Sequence, residues 1–277
     1  LNYINLNGKL LAADDAMVAH DNRAFRYGYG LFETMFWKDG SIQLSDLHNA
    51  RLFTGMQQLS VDIPKLMNKA WMQREVERTV QKNKYNDLCR VRMQVWPGNG
   101  GLYDATSRQP EYMIECFPLV AELTQLNEHG LHIGIANGLN KSADSIANLK
   151  TCNALIYAIA AKHAKEQKWN DALILNTSGN IIESTIANIF IIKDRQICTP
   201  PLTEGCVAGV MRQYLITIMR EKGYNVVEQP VSQDDVLYAD EIFLTNAIRR
   251  IKWVERLGNS TYICKQTQSI YHSIFGA

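Results

Sequence analysis

The sequence predicts an α+β fold in two domains. Three observations predict it. Its strand-like stretches are joined mostly by short turns, with few strand–helix–strand units. Alternating stretches such as Leu88 to Trp96 coexist with helical ones such as Val210 to Lys222. The 277 residues exceed one ordinary domain and suit two. Apolar residues make up 46% and charged residues 21%, a globular composition that argues against a disordered chain.

The elements follow in order. Tyr3 to Leu6 and Lys9 to Leu11 flank Asn7-Gly8, a hairpin pattern. Gly30 to Trp37 reads as a strand closed by Lys38-Asp39-Gly40. A helix is expected from Ser45 to Leu59 with Ser45 as its cap, and a second from Pro64 to Lys82. Leu88 to Trp96 and Tyr112 to Phe117 are strands around a turn at Pro97-Gly98-Asn99-Gly100-Gly101. Periodicity lapses between Pro118 and Asn127, which sets the expected domains at 1–120, the smaller, and 121–277, the larger. Leu131 to Ala136 reads as a strand and Asn137 to Lys150 as a polar loop. Thr151 to Gln167 reads as a helix with Leu155, Ala158, Ile159 and Lys162 on one face. Two hairpins follow, around Asn176 to Asn180 and around Lys193-Asp194-Arg195. Val210 to Lys222 is a helix stopped by Gly223, and Asn225 to Glu228 and Glu241 to Leu244 are strands.

Composition excludes several classes. With 29 basic and 28 acidic residues there is no basic excess for nucleic acid, and only Arg249, Arg250, Lys252 and Arg256 cluster. The longest apolar run, Ala154 to Ala161, is eight residues, too short for a membrane span. The start of the sequence has no basic stretch leading into an apolar one, so no signal peptide is expected. Six cysteines without C-x-x-C spacing fit reduced thiols in a cytoplasmic protein. No histidine pattern suggests a metal site, and no glycine run completes a dinucleotide or phosphate-loop motif.

The informative block is Glu183-Ser184-Thr185-Ile186-Ala187-Asn188-Ile189-Phe190, a carboxylate and small polar residues inside an apolar stretch. Downstream, Gly209-Val210-Met211-Arg212 opens a helix whose backbone N–H groups and dipole suit an anion. Glu183, Thr185, Asn188, Ile189, Phe190, Thr199, Val207, Gly209, Val210 and Arg212 fill in order a pattern that resembles the class IV (fold-type IV) pyridoxal-phosphate enzymes. That family includes branched-chain and D-amino-acid aminotransferases and 4-amino-4-deoxychorismate lyases. The resemblance reaches back to Phe32-Glu33-Thr34 and His48-Asn49-Ala50-Arg51-Leu52.

The resemblance implies a two-domain fold with pyridoxal 5'-phosphate in the cleft between domains, and a homodimer. It implies that Lys150, in a lysine-x-x-Asn spacing with Asn153, forms the Schiff base and then moves the Cα proton; Lys141 is the rival lysine. A lysine in this role must be deprotonated to attack. Glu183 is expected on the pyridine nitrogen, where an acid keeps the ring protonated as an electron sink. Arg51, the backbone at Val210 and Met211, and the Thr245-Asn246 loop are expected on the phosphate.

The chain departs from its relatives where they hold the substrate carboxylate. Phe36 stands where branched-chain enzymes carry arginine, and Leu155 where they carry tyrosine. Pro97-Gly98 replaces Arg-Gly, Leu102 replaces an arginine, and Tyr29 replaces the aspartate of Gly-Asp-Gly. Arg92 and Tyr27 are the substrate-side candidates, with Arg26, Arg249 and Arg250 behind them. The expected function is amino transfer between an amino acid and a 2-oxo acid. The alternatives are release of pyruvate and 4-aminobenzoate from aminodeoxychorismate, and a non-catalytic cofactor-binding protein.

Overall fold

The computed structural model describes residues 2–85, 88–98, 100–104 and 107–276; Asn99 of the expected turn lies outside them. The described residues form two compact units. One comprises residues 1–121 with 149–154, the other 122–148 with 155–277. Lys150, which the sequence reading puts in the C-terminal part, therefore packs with the N-terminal unit.

The first unit opens with β1 (Tyr3–Leu6) and β2 (Lys9–Ala12), then α1 (Arg23–Tyr27), β3 (Leu31–Lys38), β4 (Ser41–Ile42), α2 (Ser45–Gln58), α3 (Lys69–Asn83), β5 (Leu88–Pro97) and β6 (Pro110–Pro118). Its sheet has the order β2-β1-β6-β5-β3-β4, antiparallel at every pairing. The β1–β2 turn has both central residues at positive φ, 51° at Asn7 and 85° at Gly8, which is why Asn-Gly suits it. Helix α2 presents His48, Asn49, Leu52, Gly55 and Met56 inward. Ser45 does not cap it: it is the first helical residue, and Leu44 precedes it in the left-handed region without a side-chain cap. Helix α3 starts at Lys69 rather than Pro64, because Asn68 accepts from the Trp71 N–H and caps it there. Met35, Met56, Met72, Val76, Val91, Met93 and Ile114 fill the core.

The second unit runs β7 (Leu131–Lys141), α4 (Leu155–Glu166), β8 (Asp171–Asn176), β9 (Ile181–Ser184), β10 (Asn188–Lys193), β11 (Gln196–Thr199), α5 (Val210–Glu221), β12 (Val226–Glu228), α6 (Gln233–Leu237), β13 (Glu241–Asn246), β14 (Arg250–Leu257), β15 (Ser260–Thr261) and α7 (Gln266–Phe275). The sheet order is β12-β11-β10-β13-β14-β7-β8-β9, with β15 on β14. Strand β9 also meets β10 through Glu183↔Asn188, which closes strands β10, β13, β14, β7, β8 and β9 into a ring. Phe190 and Phe243, both fully buried, stack at 4.8 Å between ring centres.

Three expectations change here. Strand β7 continues to Lys141 through a register shift, so part of the expected polar loop is strand. The expected helix from Thr151 begins only at Leu155, and Thr151 instead bridges Leu31 in the first unit. The helix buries Ala160 and Ala164, with Ile156 partly buried beside them, while Leu155 and Ile159 stay 67% and 44% exposed. Its inward face is thus rotated one residue from the one the apolar pattern suggests.

Candidate active site

In the first unit, the Lys150 segment adds to the edge of β3. The Phe32 N–H donates to the Lys150 carbonyl at 2.9 Å and the Cys152 N–H to the Gly30 carbonyl at 2.8 Å. This seats the Lys150 Nζ 4.5 Å from the centre of the Phe32 ring. The Arg92 guanidinium, on β5, lies 4.0 Å from the same ring. Arg92 also donates to Gln94 Oε1 at 3.2 Å and lies 4.0 Å from Glu115. Beside them, burial pushes the Cys152 thiol up to about 11, against the pull of Arg92. The Tyr27 ring lies 4.9 Å from that of Tyr103. Arg26 is exposed.

Arg51 belongs to a different cluster. Its Nε donates to Glu33 Oε1 at 2.7 Å and its other edge nitrogen to Glu33 Oε2 at 2.5 Å. His48, one turn earlier on α2, meets Glu33 Oε2 through Nδ1 at 2.6 Å. Burial acts to raise the Glu33 pKa, but the Arg51 and His48 charges and hydrogen bonds outweigh it and bring it down to about 2. Arg51 is thus a guanidinium held in a fixed plane by a buried carboxylate. The sequence names Glu33 and His48 only as part of a pattern; sequence separations of 18 and 15 hide their pairing.

The second unit holds Glu183 at the end of β9, 3% exposed. Its Oε1 accepts from Lys141 Nζ and from Tyr157 OH, both at 2.7 Å, and its Oε2 from the Val207 N–H at 2.9 Å. Lys141 comes from the extension of β7 and Tyr157 from the first turns of α4. Neither contact was legible in sequence, because Lys141 appeared to lie in a loop. The Asn188 amide donates to the Val207 carbonyl at 2.9 Å, and a Cβ on Gly209 would strike Asn188 Oδ1. Gly209 is therefore required for this close approach. It begins α5 with no side-chain cap, so the first N–H groups of a twelve-residue helix, at the buried Val210 and Met211, keep their anion-binding capacity. Arg212 is structural: it donates to the Pro200 carbonyl at 2.7 Å and to Glu228 at 2.8 Å.

Thr245 and Asn246 close a turn at the end of β13. The Thr245 hydroxyl donates to the Arg250 carbonyl at 2.7 Å, and Asn246 Oδ1 accepts from the N–H groups of Ile248 and Arg249. Both side chains shape the turn, and the Asn246 amide also donates out of it to the Ile186 carbonyl at 3.2 Å. The Arg250 guanidinium lies over Phe275 at 4.8 Å. Among the described residues no cluster of His, Cys, Asp and Glu could hold a metal, and no helix is long and apolar enough to cross a membrane.

These residues fit a phosphorylated pyridine. A buried carboxylate suits the ring nitrogen, and the glycine-edged, uncapped start of α5 suits the phosphate. The family model for amino-transferase class IV matches residues 30–256. A Methanocaldococcus jannaschii protein, named provisionally as a branched-chain-amino-acid aminotransferase, is 30% identical over 90% of this chain and 85% of its own. An aminodeoxychorismate lyase of Vibrio harveyi is 26% identical over 82% of each. The fold matches the crystal structure of a branched-chain aminotransferase from Thermoproteus uzoniensis with norvaline, at a TM-score of 0.88 and 22% identity over 98% of this chain and 93% of that one.

Proposed function

The chain belongs to the class IV aminotransferase family, and from that premise we propose that it moves an amino group between an amino acid and a 2-oxo acid. It is an enzyme, and its cofactor is pyridoxal 5'-phosphate. The observation that carries the reading is Glu183, a buried carboxylate with three donors in the unit that also offers the uncapped start of α5.

When bound, the cofactor supplies a sink for the electrons of the breaking Cα–H bond. In this reading Lys150 Nζ would hold it covalently, and the same amine, when free, would take the Cα proton and return it. Glu183 keeps the ring nitrogen protonated. Arg51, fixed by Glu33, and the N–H groups of Val210 and Met211 bind the phosphate. Thr245 and Asn246 contribute through the shape of their turn. Arg92 and Tyr27 are the residues proposed to meet the substrate, Arg92 through its charge. A homodimer is part of the reading, and light scattering of the purified protein tests it.

A second reading, pyruvate release from aminodeoxychorismate, is favoured by the lysine-x-x-Asn spacing at Lys150 and Asn153 and by the Vibrio harveyi relative. The experiment is a visible-absorbance titration of the cofactor-loaded protein with a panel of L- and D-amino acids, with the 2-oxo acid product quantified. Conversion of the cofactor to its amine form with stoichiometric 2-oxo acid is expected. An unchanged spectrum across the panel, with pyruvate released from aminodeoxychorismate, would replace the first reading by the second. Binding without either reaction would leave a non-catalytic binding protein.

A further inference from the structure

We propose that Lys141 and Tyr157 are positioning residues that fill Oε1 of Glu183 and leave Oε2 as the oxygen presented to the ring nitrogen of the cofactor. The proposal rests on the cofactor reading above.

The argument is one of acceptor capacity. Each carboxylate oxygen has about two lone-pair sites. Oε1 has both taken, by Lys141 Nζ and Tyr157 OH at 2.7 Å. Oε2 has one taken, by the Val207 N–H at 2.9 Å. One site remains on a carboxylate that is 3% exposed, and buried acceptors find donors. A protonated ring nitrogen is such a donor.

The donors on Oε1 differ in kind. Burial, and then the charge of Glu183, push the Tyr157 phenol far up, so it stays neutral and can only donate to this oxygen. The neighbouring Cys206 thiol is pushed up to about 11 by burial and by the same charge, so it too stays neutral. Lys141 therefore supplies the one cation bonded to Glu183 among the described residues. The Lys141 charge, 2.7 Å from Oε1, repels a proton approaching the same carboxylate. A proton shared between Glu183 and a ring nitrogen is thereby driven to the nitrogen. Lys141 Nζ is bonded to Glu183 at 2.7 Å.

The test uses the full chain loaded with pyridoxal phosphate carrying ¹⁵N in its ring, in wild type, Lys141→Met, Lys141→Arg and Tyr157→Phe. Three readouts are taken: the ring-nitrogen chemical shift, kcat and KM. Wild type is expected to show a protonated ring nitrogen. Lys141→Met should move the shift towards the unprotonated value and lower kcat by roughly tenfold or more, the scale of one lost charge-assisted hydrogen bond, with KM nearly unchanged. Lys141→Arg should restore both, and Tyr157→Phe should move the shift in the same direction by less. A Lys141→Met protein that keeps the wild-type shift and kcat overturns the proposal. If Lys141→Met does not fold, a Tyr157→Phe protein with an unmoved shift overturns it instead. A wild-type chain that binds none of the labelled cofactor removes the cofactor reading itself, which is a different result from bound cofactor with an unresponsive nitrogen.

Discussion

Glu33 and Glu183 are two buried glutamates, the first bonded to Arg51 and His48 and the second to Lys141, Tyr157 and the Val207 N–H, yet they are built for opposite ends. Glu33 meets the fork of Arg51 across both oxygens, and its partners Arg51 and His48 come from one helix, α2. A fork fixes a plane, so this carboxylate orients its cation. Glu183 collects its partners from β7, α4 and the segment before α5, and its side-chain donors both fall on one oxygen. Here the cation serves the carboxylate. The same pairing chemistry gives an aimed arginine in one unit and a poised acid in the other, and the number of elements that supply the donors separates the two.

The largest effect expected is on the lysines. Lys150→Ala should remove the cofactor's visible absorption band and lower turnover by about a thousandfold or more, the scale of losing a nucleophile and its proton transfer. Absorbance and steady-state rates check it, and a variant that keeps the band removes Lys150 from its role. Next comes Glu33→Gln. It leaves Arg51 facing a neutral amide in a buried place, and the unfolding free energy measured in urea should fall by about 3 kcal/mol.

The same carboxyl sets a pH limb. Its pKa is depressed on folding to about 2. The stability it contributes is therefore complete above the ordinary carboxylate range and is lost as pH falls from about 4.5 towards 2. Denaturation at a series of pH values should show this loss in wild type and not in Glu33→Gln. Glu183→Gln should lower kcat by about a hundredfold, the scale of a lost electrostatic contact, and because it too leaves a largely buried cation, Lys141, beside a neutral amide, its unfolding free energy should also fall. If Glu183→Gln leaves kcat unchanged, the comparison is wrong. The smallest effect is at Gly209→Ala, whose Cβ would push Asn188 and the start of α5 apart; the dissociation constant of the cofactor should rise about tenfold, as overpacking of this size implies.

Much of the fold was legible because its signals are local. Asn7-Gly8 marks a turn that needs positive φ, and Gly223 ends α5 where the periodicity stops. Elements were missed where local signals are weak or misleading. Strand β14 reads Arg-Ile-Lys-Trp-Val-Glu-Arg-Leu, so dense in charge that its alternation is masked, and it is held by β13 and β7 on either side. Helix α7 lacks a side-chain cap; Glu241, distant in sequence, accepts from the Lys265, Gln266 and Thr267 N–H groups at its start. At the site, Lys150, Glu183 and Arg51 stood out through a pattern of residue types. Lys141 stood out only as a rival for the role of Lys150, and Tyr157, Glu33 and His48 had no assigned part, because what these four do depends on partners brought close only by folding. Thr245 and Asn246 are expected at the phosphate as a loop, and the bonds their side chains make, which set the shape of that turn, have no signature in the sequence.

The central claim is that Lys150, and not Lys141, carries the cofactor. The most direct measurement is to reduce the loaded protein with borohydride, digest it, and locate the phosphopyridoxyl group by mass spectrometry. The account predicts the group on Lys150 alone, with Lys141 unmodified. A modified Lys141, with Lys150 untouched, would contradict it.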